Sequence, residues 1–362
     1  MRGLAAVFSA LIMALAGFAT LLAVGAETGG VAFGTGLVMA VLPLPVYLGV
    51  SLWIDRFEPE PKSLVLFTFF WGATIAVLVA LVLNTAGQVV VGEALGGGAA
   101  EIYGGSISAP VVEECAKAAA LLIVYHRRKA EFNGVVDGIV YAILVGLGFA
   151  TSENVLYYSR GAFEEGVPGA IATFVLRGVL SPFAHPLFTA MFGIGLGLAS
   201  RSRRRSTRTL APLAGLALAI ALHALWNTAA AAGLALTVYV FLFAPLFFGL
   251  LALVVLARSR EGQLVRRQLQ PELSAGWLTP GELEMLASVR ARRRALSQVG
   301  ATRGRPARRS LRSAQEAATE LAFHRDRAQR GLGGEELLSA EQRRLAERLR
   351  ELRAATGGAA LA

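Results

Sequence analysis

Ala109-Pro110-Val111-Val112-Glu113-Glu114-Cys115-Ala116-Lys117-Ala118-Ala119-Ala120-Leu121-Leu122-Ile123-Val124 is the stretch whose reading decides the fold. It sits in an apolar segment, 107–125, of the length needed to cross a bilayer, yet it carries three ionisable residues near its middle. As a helix it places Lys117 at i+4 from Glu113 and i+3 from Glu114, so an ion pair within the helix accounts for one carboxylate. The second remains expensive. A charge at the bilayer centre costs at least ~2.5 to 3.5 kcal/mol, which calls for a partner on another helix, a water-filled cavity or an ion.

The rest of the chain supports the membrane reading. Hydrophobic residues make up 55% of the 362 residues and the mean hydropathy is +0.56, too apolar for a polar surface to enclose. Apolar runs at 4–25, 31–54, 64–90, 107–125, 135–157, 170–199, 210–232 and 235–257 predict an all-α, polytopic membrane helix bundle of about eight transmembrane helices. The expected division is a membrane domain, 1–257, with its working helices within about 107–232, and a basic, mostly helical tail, 258–362. Arg2, a long apolar run and the small residues Ala23-Val24-Gly25-Ala26 raise the question of a cleaved signal. The run is longer than a typical signal core of ~7 to 15 residues, so a retained first helix is expected.

Lys and Arg are distributed unevenly over the connecting segments. With the N-terminus inside, Arg2, Arg56, Lys62, Arg127, Arg128, Lys129, Arg201, Arg203, Arg204, Arg205 and Arg208 fall on the cytoplasmic side, against Arg160 alone outside. That asymmetry predicts cytoplasmic N- and C-termini. Cys115 is the sole cysteine, so no disulfide forms within the chain, and it reads as a small buried hydrophobe.

From Arg258 onward the chain has 21 Arg and 12 Asp or Glu, a net of +9 out of the whole chain's +10. Segments 280–298 and 335–354 read as helices. The first opens on Thr279-Pro280-Gly281-Glu282, with an N-cap, a proline at the first helical position and an acid at the third. Gly300 to Arg312 reads as a flexible basic linker. Anionic lipid headgroups are the expected partner of this tail, and nucleic acid is not. No Walker loop, dinucleotide fingerprint or internal repeat is present.

Three more spans carry misplaced polar residues. The fifth holds Phe149-Ala150-Thr151-Ser152-Glu153-Asn154, where Glu153 is able to snorkel outward, with Asp137 at the other end reading as a cap or as a residue facing water. The sixth holds Ser181-Pro182-Phe183-Ala184-His185-Pro186, a histidine between two helix-breaking prolines, which is tolerated where a helix lines a cavity. Arg177 lies two turns away, placed to neutralise a carboxylate. The seventh holds His223-Ala224-Leu225-Trp226-Asn227, with His223 and Asn227 on one helical face. The bland alternative for each is a satisfied interhelical hydrogen bond. Counted from the external ends, Glu113, Glu153 and His223 agree in depth within the outer half, while His185 lies about four turns in.

Glutamates and histidines together bind Zn²⁺ with an open position for water, or a glutamate activates water directly while His and Asn stabilise an oxyanion. Both are hydrolytic. A proton-coupled transporter would use the same residue types as a relay.

Glu113-Glu114-x-x-Lys117, Phe149-x-x-x-Glu153-Asn154, His185 and His223-x-x-Trp226-Asn227, in this order on consecutive spans, resemble the PrsW family of intramembrane proteases, and more distantly the CAAX prenyl protease and bacteriocin-processing superfamily. The loop Asp55-Arg56-Phe57-Glu58-Pro59-Glu60-Pro61 and Trp71-Gly72-Ala73 are similar to that family's early region. The resemblance covers roughly 35–255 and does not extend to the tail. It implies a bacterial plasma-membrane protease, classed as a metalloprotease, that cuts a membrane-anchored protein on its external side, an anti-sigma factor in the best-known case. It further implies that Glu113 or Glu114 activates water, that His185 acts as base or ligand, and that His223 with Asn227 binds metal or holds the oxyanion. Lys117, Glu153, Asn154 and Arg177 support them. Glu153, His185 and His223 are the expected ligands should Zn²⁺ be bound. The chain has no His-Glu-x-x-His helix, and a glutamate mechanism without metal fits the wider superfamily equally. Binding without cleavage, as a sensor or immunity protein, is the third reading.

Overall fold

A computed structural model describes residues 2–55, 59–129, 131–332 and 335–355. Arg56, Phe57 and Glu58 of the early loop motif therefore lie outside the described residues. Among those described there is no strand. The chain divides into two compact units: one of 1–55, 60–200 and 205–250, the other of 56–59, 201–204 and 251–362.

The first unit is built from long apolar helices. They are α1 (Arg2–Thr28), α2 (Gly30–Val41), α3 (Leu44–Ile54), α4 (Lys62–Phe70), α5 (Val77–Leu95), α6 (Gly97–Tyr103), α7 (Ala109–Arg127), α8 (Val135–Phe174), α9 (Ala184–Ser200), α10 (Arg205–Ala231), α11 (Ala235–Val238) and the start of α12 (Ala244–Gln268). Among the described residues, six helical stretches are long and apolar enough to cross a membrane: 6–28, 30–54, 62–95, 135–200, 205–231 and 235–274. The count of eight expected from sequence differs for two reasons. Glu113, Glu114 and Lys117 make α7 too charged to qualify, and 135–157 and 170–199 join into one stretch.

That stretch folds back on itself. Gly166 adopts φ 69° and ψ −155°, a region open to glycine without steric cost, and Pro168 follows at the start of the returning arm. Glycines then let the arms close. A Cβ on Gly138 would overlap the Gly193 carbonyl, and one on Gly193 would overlap that of Gly138, the close backbone approach that stands in for hydrophobic driving force inside a membrane. The same logic brings α8 against the segment before α5, since Gly72 abuts the Val145 carbonyl and Gly148 that of Phe69.

Asp137 caps α8, its carboxylate accepting from the backbone N–H of Asn133 at 2.7 Å and of Gly134 at 2.9 Å. Gly96, at φ 88°, separates α5 from α6. Cys115 is exposed, not buried as its residue type implied. It points off the face of α7 that holds Glu113, Glu114 and Lys117.

The second unit is helical and has its own core. It contains α13 (Gln270–Ser274), α14 (Pro280–Ala287), α15 (Val289–Gln329) and α16 (Glu335–Ala355). Thr279 and Glu282 form the capping box expected from sequence, Glu282 N–H to Thr279 Oγ1 at 3.2 Å and Thr279 N–H to Glu282 Oε2 at 2.6 Å. The helix expected over 280–298 is interrupted at Ser288, which is extended and caps α15 in turn. The stretch 300–312, expected as a flexible linker, is helical apart from Gly304 at φ 79°. Val265, Leu269, Leu286, Leu311 and Leu321 fill the core. Arg292 is buried beside them, its Nε donating to the Leu286 carbonyl at 2.8 Å and its Nη2 to Thr319 Oγ1 at 2.6 Å.

Candidate active site

Four helical segments of the first unit converge on one polar cluster. At its centre is Lys117, 0% exposed. Its ammonium lies 2.8 Å from Glu114 Oε1, 3.4 Å from Glu113 Oε2 and 3.1 Å from His185 Nδ1. It also sits 3.8 Å from the centroid of the Phe149 ring, a cation–π contact strengthened by desolvation. An ammonium has only donors to offer, so Nδ1 of His185 accepts there and the proton belongs on Nε2. Nε2 donates to Glu153 Oε2 at 2.7 Å.

Glu153 in turn receives Arg177, whose Nε also donates to Asn154 Oδ1 at 2.8 Å. The Arg177 guanidinium lies over the Tyr157 ring, 3.9 Å from its centroid. Arg177 thus forms an ion pair with Glu153, and its head group bridges the two arms of the α8 hairpin.

The two adjacent glutamates differ in their partners. Glu114 uses both oxygens: Oε1 meets Lys117 and His223 Nδ1, the latter at 3.1 Å, while Oε2 accepts from Thr189 Oγ1 at 2.8 Å. Glu113 has Lys117 as its nearest charge, at 3.4 Å, and His223 Nε2 at 3.8 Å, beyond hydrogen-bond length. With Nδ1 of His223 donating to Glu114, its Nε2 lone pair faces the Glu113 carboxylate. His223 is held by an aromatic sleeve: it stacks on Phe188 with ring centroids 5.1 Å apart and meets the His185 ring edge-on at 5.0 Å.

His185 joins the cluster despite its apparent depth in the sequence. The sixth span is not one regular helix: a π-helical segment, Val175–Leu180, runs into the non-helical residues 181–183 before α9 begins at Ala184. The proline-flanked histidine therefore sits at a break, and α8 extends well past Glu153 before turning. Those two features bring Glu153 and His185 level.

Asn227 is not at the centre. Its Nδ2 donates to the Gly105 carbonyl at 2.9 Å, and Thr228 Oγ1 donates to Ser106 Oγ at 3.0 Å. Both tie α10 to the π-helical segment Gly104–Ser108 that leads into α7. Thr189 is the cluster member that sequence reading missed. A threonine four residues after His185, on the same helical face, was the available signal.

Could these residues hold a metal? Glu113, His185 and His223 each present one donor atom, all within 4.8 Å of one another. One carboxylate and two imidazoles leaving a position open is a catalytic-zinc donor set, and the Glu114–His223 hydrogen bond is the outer-shell support such a ligand usually has. The set expected from sequence contained Glu153 in place of Glu113. Glu153 is instead engaged by Arg177 and His185. Both ring nitrogens of His185 have partners, so its ligation requires the release of one of them.

Fold and site together define a polytopic helical membrane protein with a buried Glu/His/Lys centre. The family model for the PrsW family intramembrane metalloprotease matches residues 60–250, and the chain belongs to that family. Among curated proteins it is similar to Protease PrsW of Clostridioides difficile (strain 630), 33% identical over 153 residues, or 41% of this chain and 60% of the relative. It is likewise similar to Protease PrsW of Geobacillus kaustophilus (strain HTA426), 34% identical over 142 residues, or 38% and 55%. Protease PrsW of Bacillus subtilis (strain 168) is 32% identical over 142 residues, or 39% and 58%. The chain thus spans less than two thirds of the length of these relatives. No solved structure matches it.

Proposed function

We propose that this protein hydrolyses a peptide bond in membrane-anchored proteins, with Glu113 as the base that activates water. The observation that carries this is the asymmetry of the glutamates. Every oxygen of Glu114 is committed to holding Lys117, His223 and Thr189, whereas Glu113 keeps acceptor capacity that faces His223 Nε2. A general base needs a free lone pair within reach of the proton that it takes.

In this reading Glu113 removes a proton as water oxygen bonds to the scissile carbonyl carbon. Lys117 supplies the positive charge nearest the developing oxyanion, and the proton taken up by Glu113 passes to the facing Nε2 of His223, oriented by Glu114, which delivers it to the amine as the carbon–nitrogen bond breaks. His185 and Glu153 fix the far side of Lys117. A metal, when bound, would be held by Glu113, His185 and His223 and, in place of that acid–base path, would polarise the carbonyl as a Lewis acid. The Lys and Arg asymmetry of the loops supports cytoplasmic termini in a bacterial plasma membrane and a site toward the external face. An anti-sigma factor anchored by one span is a fitting substrate. Anionic lipid headgroups fit the basic tail.

The test is quantitative membrane proteomics of cells carrying the wild type, Glu113→Gln or His223→Ala. One membrane protein should lose its external fragment in both variants while the variants remain at wild-type abundance. An unchanged fragment pattern would point to transport or binding without cleavage.

A further inference from the structure

Beside the polar cluster lies a cavity of about 250 Å³ whose walls are mostly apolar. Leu180, Pro182 and Phe183 of the broken segment line it together with Leu187, Phe243 and Phe247. We propose that this cavity receives a large apolar side chain, leucine- or phenylalanine-like, from the membrane segment of the substrate, next to the bond that is cut. The proposal rests on the protease reading and adds the side-chain class that the site selects.

Three observations carry it. First, the cavity adjoins the site through the neighbours of its residues. Ala184 and Leu187 line it on either side of His185, Trp226 lines it next to Asn227, and Phe243 packs at 5.5 Å on Phe188, the ring that stacks on His223.

Second, both irregular stretches of this region border it: the π-helical Val175–Leu180 with the non-helical 181–183, and the π-helical Tyr239–Phe243. Non-helical backbone at membrane depth persists only where it lines a cavity or is buried in protein, and π-helical turns concentrate at functional sites. A peptide bond in a helix is shielded by its own hydrogen bonds. A substrate must extend to be cut, and an unwound wall offers backbone partners to an extended segment.

Third, the rim residues Val179, Leu180 and Phe248 are exposed large hydrophobics, so the mouth faces the lipid and admits a guest from within the bilayer. As a measure of capacity, a dry apolar cavity of about 150 Å³ already binds benzene.

The experiment uses the purified full-length chain in phosphatidylcholine vesicles. The probe is a single-span peptide with one guest position, occupied by photo-reactive leucine for cross-linking and by leucine, alanine or tryptophan for cleavage. With Glu113→Gln, cross-links should concentrate in 179–187 and 239–248, and Ala244→Trp, which fills the cavity, should reduce them at least tenfold. In the otherwise wild-type chain Ala244→Trp should lower the ratio of leucine-peptide to alanine-peptide cleavage at least tenfold. Phe247→Ala, which enlarges the cavity, should shift preference toward tryptophan.

Cleavage with cross-links elsewhere would overturn the cavity assignment and leave the protease reading standing. Cross-links in the cavity with no cleavage by the wild type would do the reverse. Labelling of the cavity by a photo-reactive phospholipid, undiminished by excess peptide, would identify a lipid site and overturn the proposal.

Discussion

Glu113 and Glu114 are neighbours in the chain with different partners. Glu114 is 1% exposed and is the hub through which Lys117, His223 and Thr189 are held. Removing its charge leaves a buried ammonium short of its closest partner, a change that typically costs about 3 to 5 kcal/mol. Glu114→Gln is therefore expected to lower the thermal midpoint of the detergent-solubilised protein markedly, while Glu113→Gln, which gives up only the 3.4 Å contact to Lys117, should leave it within a few degrees. Equal destabilisation by both would remove the basis for separating their roles. Lys117 bears on the metal question in the same way. Two unit charges roughly 4 Å apart interact by about 4 kcal/mol at an effective dielectric of about 20, and a divalent ion doubles this. An ammonium beside Glu113 and His185 thus opposes any cation they bind. Lys117→Met should tighten zinc binding by orders of magnitude, read by isothermal titration on the purified chain, and His223→Ala in that background should abolish it. An unchanged affinity would mean that Lys117 lies away from the ion.

At the scale of elements, two hairpins turn on one local motif. Gly166-Val167-Pro168 and Gly304-Arg305-Pro306 each set a glycine at positive φ two residues before a proline. The second lies in the stretch that composition alone reads as a linker: clustered arginine with Gly and Pro looks flexible, but its apolar residues, such as Leu311, are buried once the arms meet. Chain order, apolar spans and the residues of the polar cluster were legible because burying a charge in a membrane demands a reason wherever it occurs. The different partners of the two glutamates, the place of Asn227 and the part of Thr189 were not, because they depend on which face of each helix meets its neighbour. That meeting is set by glycine. Gly138 and Gly193 oppose each other across the hairpin, whereas a Cβ on Gly49 would meet nothing within 4 Å. Overpacking a tight contact costs about 1 to 3 kcal/mol and occasionally more. Gly138→Leu should thus prevent accumulation of folded protein in the membrane, judged by monodispersity in detergent, and Gly49→Leu should not. Indifference to both would mean that the arms of the hairpin do not pack as described.

The molecule as a whole combines a nearly neutral membrane unit with a strongly basic one, since the segment from Arg258 carries a net +9 of the total +10. The single arginine expected outside, Arg160, is itself paired with Glu27, Nε to Oε1 at 2.6 Å. The basic unit has a core of its own, and its structure is fastened internally: Arg325 grips Glu272 through two hydrogen bonds of 2.6 Å each. Its charge is concentrated around Gly304, where Arg293, Arg294, Arg305, Arg308, Arg309 and Arg312 are all exposed and no acid occurs between Glu284 and Glu316. Each arginine close to an anionic bilayer contributes about 1 kcal/mol, an attraction that falls off within a Debye length. Two outcomes are expected from separating the units. A chain ending at Ala257 should insert and retain the thermal midpoint of the membrane unit, because none of the polar cluster lies beyond Asn227. The segment 258–362, expressed alone, should float with vesicles containing phosphatidylserine, stay behind with phosphatidylcholine alone, and be released by raised salt. Replacing Arg305, Arg308, Arg309 and Arg312 with glutamine should abolish flotation without altering helical content by circular dichroism. Salt-insensitive binding, or binding that survives these replacements, would show that charge around Gly304 is not what holds this unit to lipid.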